Sequence, residues 1–316
     1  MDDTSERVVE NPIDDDELLA QIAWYYYVDG LTQEEIGGHL GLSRIKVSRC
    51  LDKGRRTGLI QVQINSPYEG SLRLGRALVE RFGLADARVI PSLAGAPRGA
   101  RIGQAAAHFL GRRLVVRDLL AVGWGEAVMA TLDRLAPTLA AREISLVSLT
   151  GGVAAYLDGI GGRTQKGDIH LIPTPLRVSS PEFAGALRLE PYVRDVMTLA
   201  LTAKIALVGI GAVSPQATLV NNGYCSASEI ELFHRQGAVG DILGYFYDRE
   251  GRILALDLHT HMVAVDPEHL RRIPTIIGAA AGPAKVEPIL GALRGGLINN
   301  LITDEATAQE LLNRRD

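Results

Sequence analysis

Between Asp16 and Val28 the apolar residues Leu18, Leu19, Ile22, Ala23, Tyr26 and Tyr27 recur at helical spacing, and the pattern stops at Gly30. Thr32 is placed to cap a second helix through Leu40, with Glu35 completing a capping box. Gly41 and Leu42 make a turn, and Ser43 caps a third helix that Gly58 can stop. Leu59 to Ile64 then alternate as a short strand does. This pattern predicts a winged helix-turn-helix over residues 16–66, with Ile36, Leu40, Leu42, Ile45, Val47 and Leu51 as its trihelical core. Asn65, Ser66, Pro67 and Gly70 mark an exit into a linking helix, residues 67–82.

From residue 83 to 316 the pattern changes. Short apolar runs (Ala87 to Pro91, Leu119 to Trp124, Ile144 to Leu149, Ile205 to Ile210, Ile273 to Ala279, Leu297 to Thr303) alternate with helical segments. Continuous apolar strands separated by helices predict a parallel sheet covered on both faces, so this part is an α/β domain.

Composition changes little in this picture, but the placement of charge changes much. The 316-residue chain is 47% hydrophobic and 22% charged with a net charge of −4, values of a globular protein and not of a general nucleic-acid coat. Residues 1–42 hold eleven acidic residues and only Arg7 as a base, which makes residues 1–15 an acidic leader. Residues 43–57 reverse this, with Arg44, Lys46, Arg49, Lys53, Arg55 and Arg56 against Asp52 alone. The second helix of such a pair lies in the major groove of double-stranded DNA with its N-terminal residues at base edges. Ser43, Arg44, Lys46, Val47 and Arg49 are therefore the candidate readers, with Thr32 and Gln33 offered to phosphate and Lys53 further along the backbone.

The stretch GLTQEEIGGHLGLSRIKVSRCLDKGRRTGLIQVQI, Gly30 to Ile64, resembles the N-terminal domain of the SorC/DeoR family of sugar-responsive bacterial transcription regulators. AVGDILGYFYDREG (Ala238 to Gly251) and ALRGGLINNLITDEATAQELL (Ala292 to Leu312) resemble signature stretches of that family's effector domain. The resemblance implies a larger Rossmann-like domain related to sugar-phosphate isomerases and CoA transferases. It also implies a homo-oligomer, as a tetramer, that binds operator DNA and answers to a sugar, polyol or sugar phosphate.

Ligands of open α/β sheets bind beyond the carboxyl ends of strands, which directs attention to glycine turns that follow apolar runs. Ile276 to Lys285 is one, running through Gly278 and Gly282 to Pro283 and Lys285, and the family's effector-contacting lysine matches Lys285. Gly123, Trp124, Gly125, Glu126 and Ala127 form another. There the family has small hydroxyl residues after the second glycine, and Glu126 and Ala127 depart from that pattern. A carboxylate at a phosphate seat is repulsive by roughly 1 kcal/mol even in water, so the expected ligand is either an uncharged sugar or polyol or one whose phosphate sits at Lys285. Thr150 with Gly151 close a third strand, and Asp241 matches a family carboxylate that binds effector hydroxyls.

Other motifs carry less. Gly209 and Gly211 form a lone GxG without the rest of a dinucleotide fingerprint. Cys50 and Cys225 have no metal spacing, and His259 with His261, read as alternating in a strand, lack a third ligand. Neither metal nor cofactor is expected. No apolar run is long enough to span a membrane and the N-terminus has no secretory core, which places the protein in the cytoplasm. The rival to a regulator is a sugar-phosphate isomerase-like enzyme with an accessory DNA-binding head, for which no nucleophile motif is visible.

Overall fold

The computed structural model describes residues 15–61, 66, 68–92, 97–152 and 167–314. The chain divides into two compact units, Met1–Ser66 and Pro67–Asp316.

The first unit is built from α1 (Asp15–Tyr27), α2 (Gln33–Leu40) and α3 (Arg44–Thr57). Thr32 caps α2 with the full capping box, and Gly41 ends it in the left-handed conformation. Ser43 caps α3 by accepting from the Lys46 N–H, and Gly58 ends it, again left-handed. The three helices close on Ile22, Ile36, Val47, Leu51 and Ile60. Two details depart from the sequence reading. Residues 59 and 60 form bends and 61 is irregular, so no strand is present there; the rest of the expected wing, 62–64, lies outside the described residues, as do residues 1–14 of the acidic leader. Ile45, expected in the core, is 66% exposed. The buried phase of α3 is set by Val47, Leu51 and Gly54, and at about 100° per residue Ile45 points about 200° away from Val47.

The second unit opens with α4 (Glu69–Phe82) and β1 (Asp86–Ile90), followed by α5 (Arg98–Gly111), β2 (Leu119–Val122), α6 (Glu126–Ala141), β3 (Ser145–Ser148) and β4 (Ile169–His170). Then come α7 (Pro181–Leu189), α8 (Pro191–Ala200), β5 (Ile205–Gly209), β6 (Gly211–Ala212), α9 (Ala227–Arg235), β7 (Gly240–Ile242) and β8 (Tyr245–Tyr247). The unit closes with β9 (Thr275–Ala279), a 3-10 turn at Pro283–Lys285, α10 (Val286–Arg294), β10 (Asn300–Asp304) and α11 (Glu305–Asn313). The expected linking helix α4 is no free linker: Leu78 is fully buried, Ser71 donates to Glu305 at 2.7 Å, and Gly75 lies against the Ala87 carbonyl of β1.

Among the described residues, seven strands form one parallel sheet in the order β1-β10-β9-β5-β2-β3-β4. β6, β7 and β8 make a small antiparallel sheet beside it. From β2 the chain proceeds outward through β3 and β4, then returns to β5 on the opposite side of β2. The direction of winding therefore switches between β2 and β5, where the loops leaving the two strands part to opposite faces and leave a crevice.

Candidate functional site

The exposed side of α3 carries the first candidate surface. Arg44, Ile45, Lys46 and Arg49 are all exposed. Among the described residues, the side chains of Arg44, Lys46 and Arg49 have no ion-pair partner, whereas Lys53 is tied to Asp15 at 3.1 Å and Arg55 to Asp52 at 2.7 Å and to the Tyr27 hydroxyl at 3.1 Å. Val47 is fully buried in the three-helix core and offers nothing to DNA, because it lies on the same inward stripe as Leu51. The Thr32 hydroxyl is engaged in its cap, donating to Glu35 at 2.8 Å while accepting the Glu35 N–H at 3.3 Å. The Thr32 backbone N–H, which donates to the Glu35 carboxylate at 2.8 Å, and then the Thr32 hydroxyl hold that carboxyl below its ordinary range. Gln33 is half-buried at the start of α2.

The second candidate is a cavity of about 280 Å³ in the crevice between β2 and β5. Its walls are the segments that leave the strands: Trp124 to Ala127 after β2, Gly209 to Ala212 after β5, and Ala279 to Ala281 with Lys285 after β9. Arg98, Gly99 and Ile102 of α5, Asp241 of β7 and Ala217 to Leu219 complete it. Close approach explains the glycines. A Cβ on Gly209 would stand 2.8 Å from the Trp124 carbonyl, and one on Gly99 would strike the Glu126 carboxylate at 2.2 Å. Gly125, at φ +130°, precedes α6 without any side-chain cap, so the first N–H groups of a sixteen-residue helix are left for a ligand or water.

The ionisable groups of the cavity hold one another in check. Asp241 is buried, with one oxygen accepting the Gly244 N–H at 3.1 Å. Burial pushes its carboxyl up to about 6, against the pull of Lys285 and of that N–H. Lys285 donates to the Ile210 carbonyl at 2.7 Å. Its pKa lies below the ordinary value because burial outweighs the attraction of Asp241 and Glu126. Arg98 lies beside Gly282 and pairs with the buried Asp304 at 3.1 Å. The cavity thus presents two cations, two carboxylates and an uncapped helix start, a donor and acceptor set that suits a small, polyhydroxylated ligand.

Gly125, Glu126, Ala127, Asp241 and Lys285 meet in this cavity. Gly123, Thr150 and Gly151 do not line it. Gly123 accommodates Leu243, and Thr150 is buried in an antiparallel bridge to Ala264. Gly151 accepts close packing from Thr174 and Pro175 while donating to the Val263 carbonyl. Sequence reasoning missed Arg98 and Gly99, because α5 begins three residues earlier than its apolar period, and it set aside the Gly209–Gly211 pair. The signal was the combination of a strand end with two glycines, read then only against a dinucleotide pattern.

A larger hollow of about 960 Å³ shares none of these residues and has mostly apolar walls, including Met197, Leu201, Ile253 and Leu254. His259 lies there on a short helix, 257–260, and not in a strand; it accepts the Phe246 N–H at 2.9 Å, and burial pushes its pKa down to about 4. A neutral imidazole tied to the backbone is a structural group. Among the described residues no three His, Cys, Asp or Glu side chains gather as metal ligands, and no helix is long and apolar enough to cross a membrane.

Residues 66–313 match the family described as "Putative sugar-binding domain". The chain is 48% identical over 301 residues to the transcriptional regulator LsrR of Klebsiella pneumoniae, covering 94% of this chain and 93% of that one. It is 46% identical over 308 residues to LsrR of Escherichia coli K12, covering 96% and 97%. The crystal structure of the full-length sorbitol operon regulator SorC from Klebsiella pneumoniae superposes with a TM-score of 0.69 at 29% identity, over 95% of this chain and 99% of that chain. With a sugar-binding domain over most of its length and regulators as relatives over nearly all of it, the chain belongs to the sugar-binding transcription regulators of the SorC/DeoR type.

Proposed function

We propose that the protein binds operator DNA through a winged helix-turn-helix formed by α2, α3 and the segment after Gly58, and that a carbohydrate effector in the β2–β5 cavity sets its affinity. The observation that carries this reading is the cavity at the winding switch, where Glu126, Asp241, Lys285 and Arg98 converge around a helix start that has no side-chain cap. Arg44, Lys46 and Arg49 supply base and phosphate contacts, and Ser43 fixes the helix that presents them. Glu126 and Asp241 accept ligand hydroxyls, while Lys285, Arg98 and the start of α6 donate to ligand oxygens. The Lys285 ammonium attracts both Asp241 and Glu126, so charge alone does not select between a free and a phosphorylated sugar.

The working form in this reading is a homo-oligomer, a tetramer as in the family, acting in the cytoplasm where its operator is. The names of its relatives support a regulator over an enzyme. The test is thermal melting and gel shift of the full-length protein against sugars and polyols, each with and without phosphate. A ligand at 100 times its dissociation constant adds about 2.7 kcal/mol to the effector unit and changes operator affinity. If no compound raises the melting temperature, or the ligand that does leaves operator binding unchanged, the sensor reading fails.

A further inference from the structure

We propose that Ile45 is a specificity-determining residue of the DNA surface, reading the C5-methyl of a thymine in the major groove. The inference rests on the reading that α3 enters that groove.

Ile45 is the large apolar side chain of α3 that faces away from the core: Val47 is buried, Leu51 is 1% exposed, and Ile45 is 66% exposed. By helical phase it shares its side of α3 with Arg49 and Arg56, all within roughly 40° of one another. It sits in the first turn between Arg44 and Lys46, and neither of these cations nor Arg49 is spent on an ion pair among the described residues. An isolated exposed isoleucine is ordinary on a protein surface. One placed at the centre of an unpaired cationic helix face is different, because the partner that neutralises that face also covers the isoleucine. DNA is such a partner. Among the groups that the major groove displays, the thymine methyl is the apolar one, and a hydrocarbon side chain is its complement. Isoleucine is also suited to hold a fixed position, since β-branching leaves one strongly preferred χ1 rotamer in a helix. Arg44, Lys46 and Arg49 then bind guanine edges and phosphate, while Ile45 sets the position at which an A·T pair is required in a given orientation.

The test uses the full-length protein without effector and a duplex that it selects from a random-sequence pool. Each thymine of that duplex is replaced in turn by deoxyuridine, which deletes the methyl and nothing else, and affinities are measured for the wild type, Ile45→Ala, Arg44→Ala and Arg49→Ala. Because Ile45 is exposed, Ile45→Ala melts with the wild type. At one thymine per half-site, deoxyuridine weakens the wild type roughly fourfold, the effect of one buried methyl-sized group, and leaves Ile45→Ala unchanged. Ile45→Ala itself loses a similar factor on the thymine duplex. The proposal is overturned if deoxyuridine affects both proteins alike at every position, or if Ile45→Ala binds as the wild type does. Should Arg44→Ala and Arg49→Ala also bind as the wild type does, the reading of α3 as the DNA-contacting helix falls with it; if the arginine variants lose binding, this inference alone is lost.

Discussion

A methyl group added at Gly211 would land 1.6 Å from Oδ1 of Asp241, so this glycine is the space that the carboxylate occupies. Gly211→Ala must displace the Asp241 side chain or the β6 backbone, and both belong to the cavity wall. Its expected outcome is loss of the effector-induced melting shift with operator binding retained in the absence of effector, read by the same melting and gel-shift assays. Asp241 also predicts a pH signature. Its carboxyl is held at about 6 in the folded protein and titrates near 3.9 when unfolded. An acid whose folded pKa is raised contributes stability below its unfolded value and loses that contribution as pH rises through the folded one. Between pH 4 and 7 the wild type therefore loses stability relative to Asp241→Asn, by on the order of 2–3 kcal/mol, in denaturant titrations of the two proteins at each pH. That Asp241 and Glu126 each follow a glycine and that Lys285 stands three residues after Gly282 is visible in the sequence. That Gly211 makes room for Asp241, and that Arg98 joins them from α5, is not, because these contacts join segments far apart in the chain.

At the scale of elements, neighbouring glycines of α2 have opposite roles. A Cβ on Gly37 would stand 2.6 Å from the Leu42 carbonyl, in the turn between α2 and α3, whereas one on Gly38 meets nothing within 4 Å. Gly37→Ala is expected to push the turn away and abolish operator binding, with the effector-induced melting shift intact. Gly38→Ala removes backbone freedom from an exposed helix position and stabilises the first unit by about 0.5–1 kcal/mol, observable as a higher urea midpoint without loss of binding. Caps and helical periods made α1, α2 and α3 legible, since Thr32, Ser43, Gly41 and Gly58 act on their own neighbours. The phase of α3 was not legible. Ile45 and Val47 are both β-branched and apolar, and only the packing of Leu51 into the three-helix core and of Gly54 against Ile60 decides which one turns inward. His259 was misplaced for a related reason, as alternation over three residues does not separate a strand from one helical turn.

For the whole molecule, the parallel strands were readable because a strand buried on both faces is a continuous apolar run. Their order was not, since no local pattern says that β5 returns beside β2, and that return creates the crevice. The division into a head with one cationic helix and a cavity-bearing α/β unit makes a quantitative demand. If effector weakens operator binding by some factor, operator duplex must weaken effector binding by the same factor. Calorimetric titration of effector into the protein, alone and with duplex, is expected to give that equality. Unequal factors would mean that the two assays are not reporting one coupled equilibrium.

The bond from the Lys285 ammonium to the Ile210 carbonyl also bears on background noise. In the proposed sensor, chloride, inorganic phosphate or a stray carboxylate entering the crevice settles beside two acidic side chains, where the carbonyl already takes one of the three ammonium protons. Such a solute gains few bonds against that repulsion, which would hold down false responses in a salt-rich cell. A compound that brings several oxygens in one rigid frame meets the two remaining ammonium protons, Arg98 and the start of α6 at once.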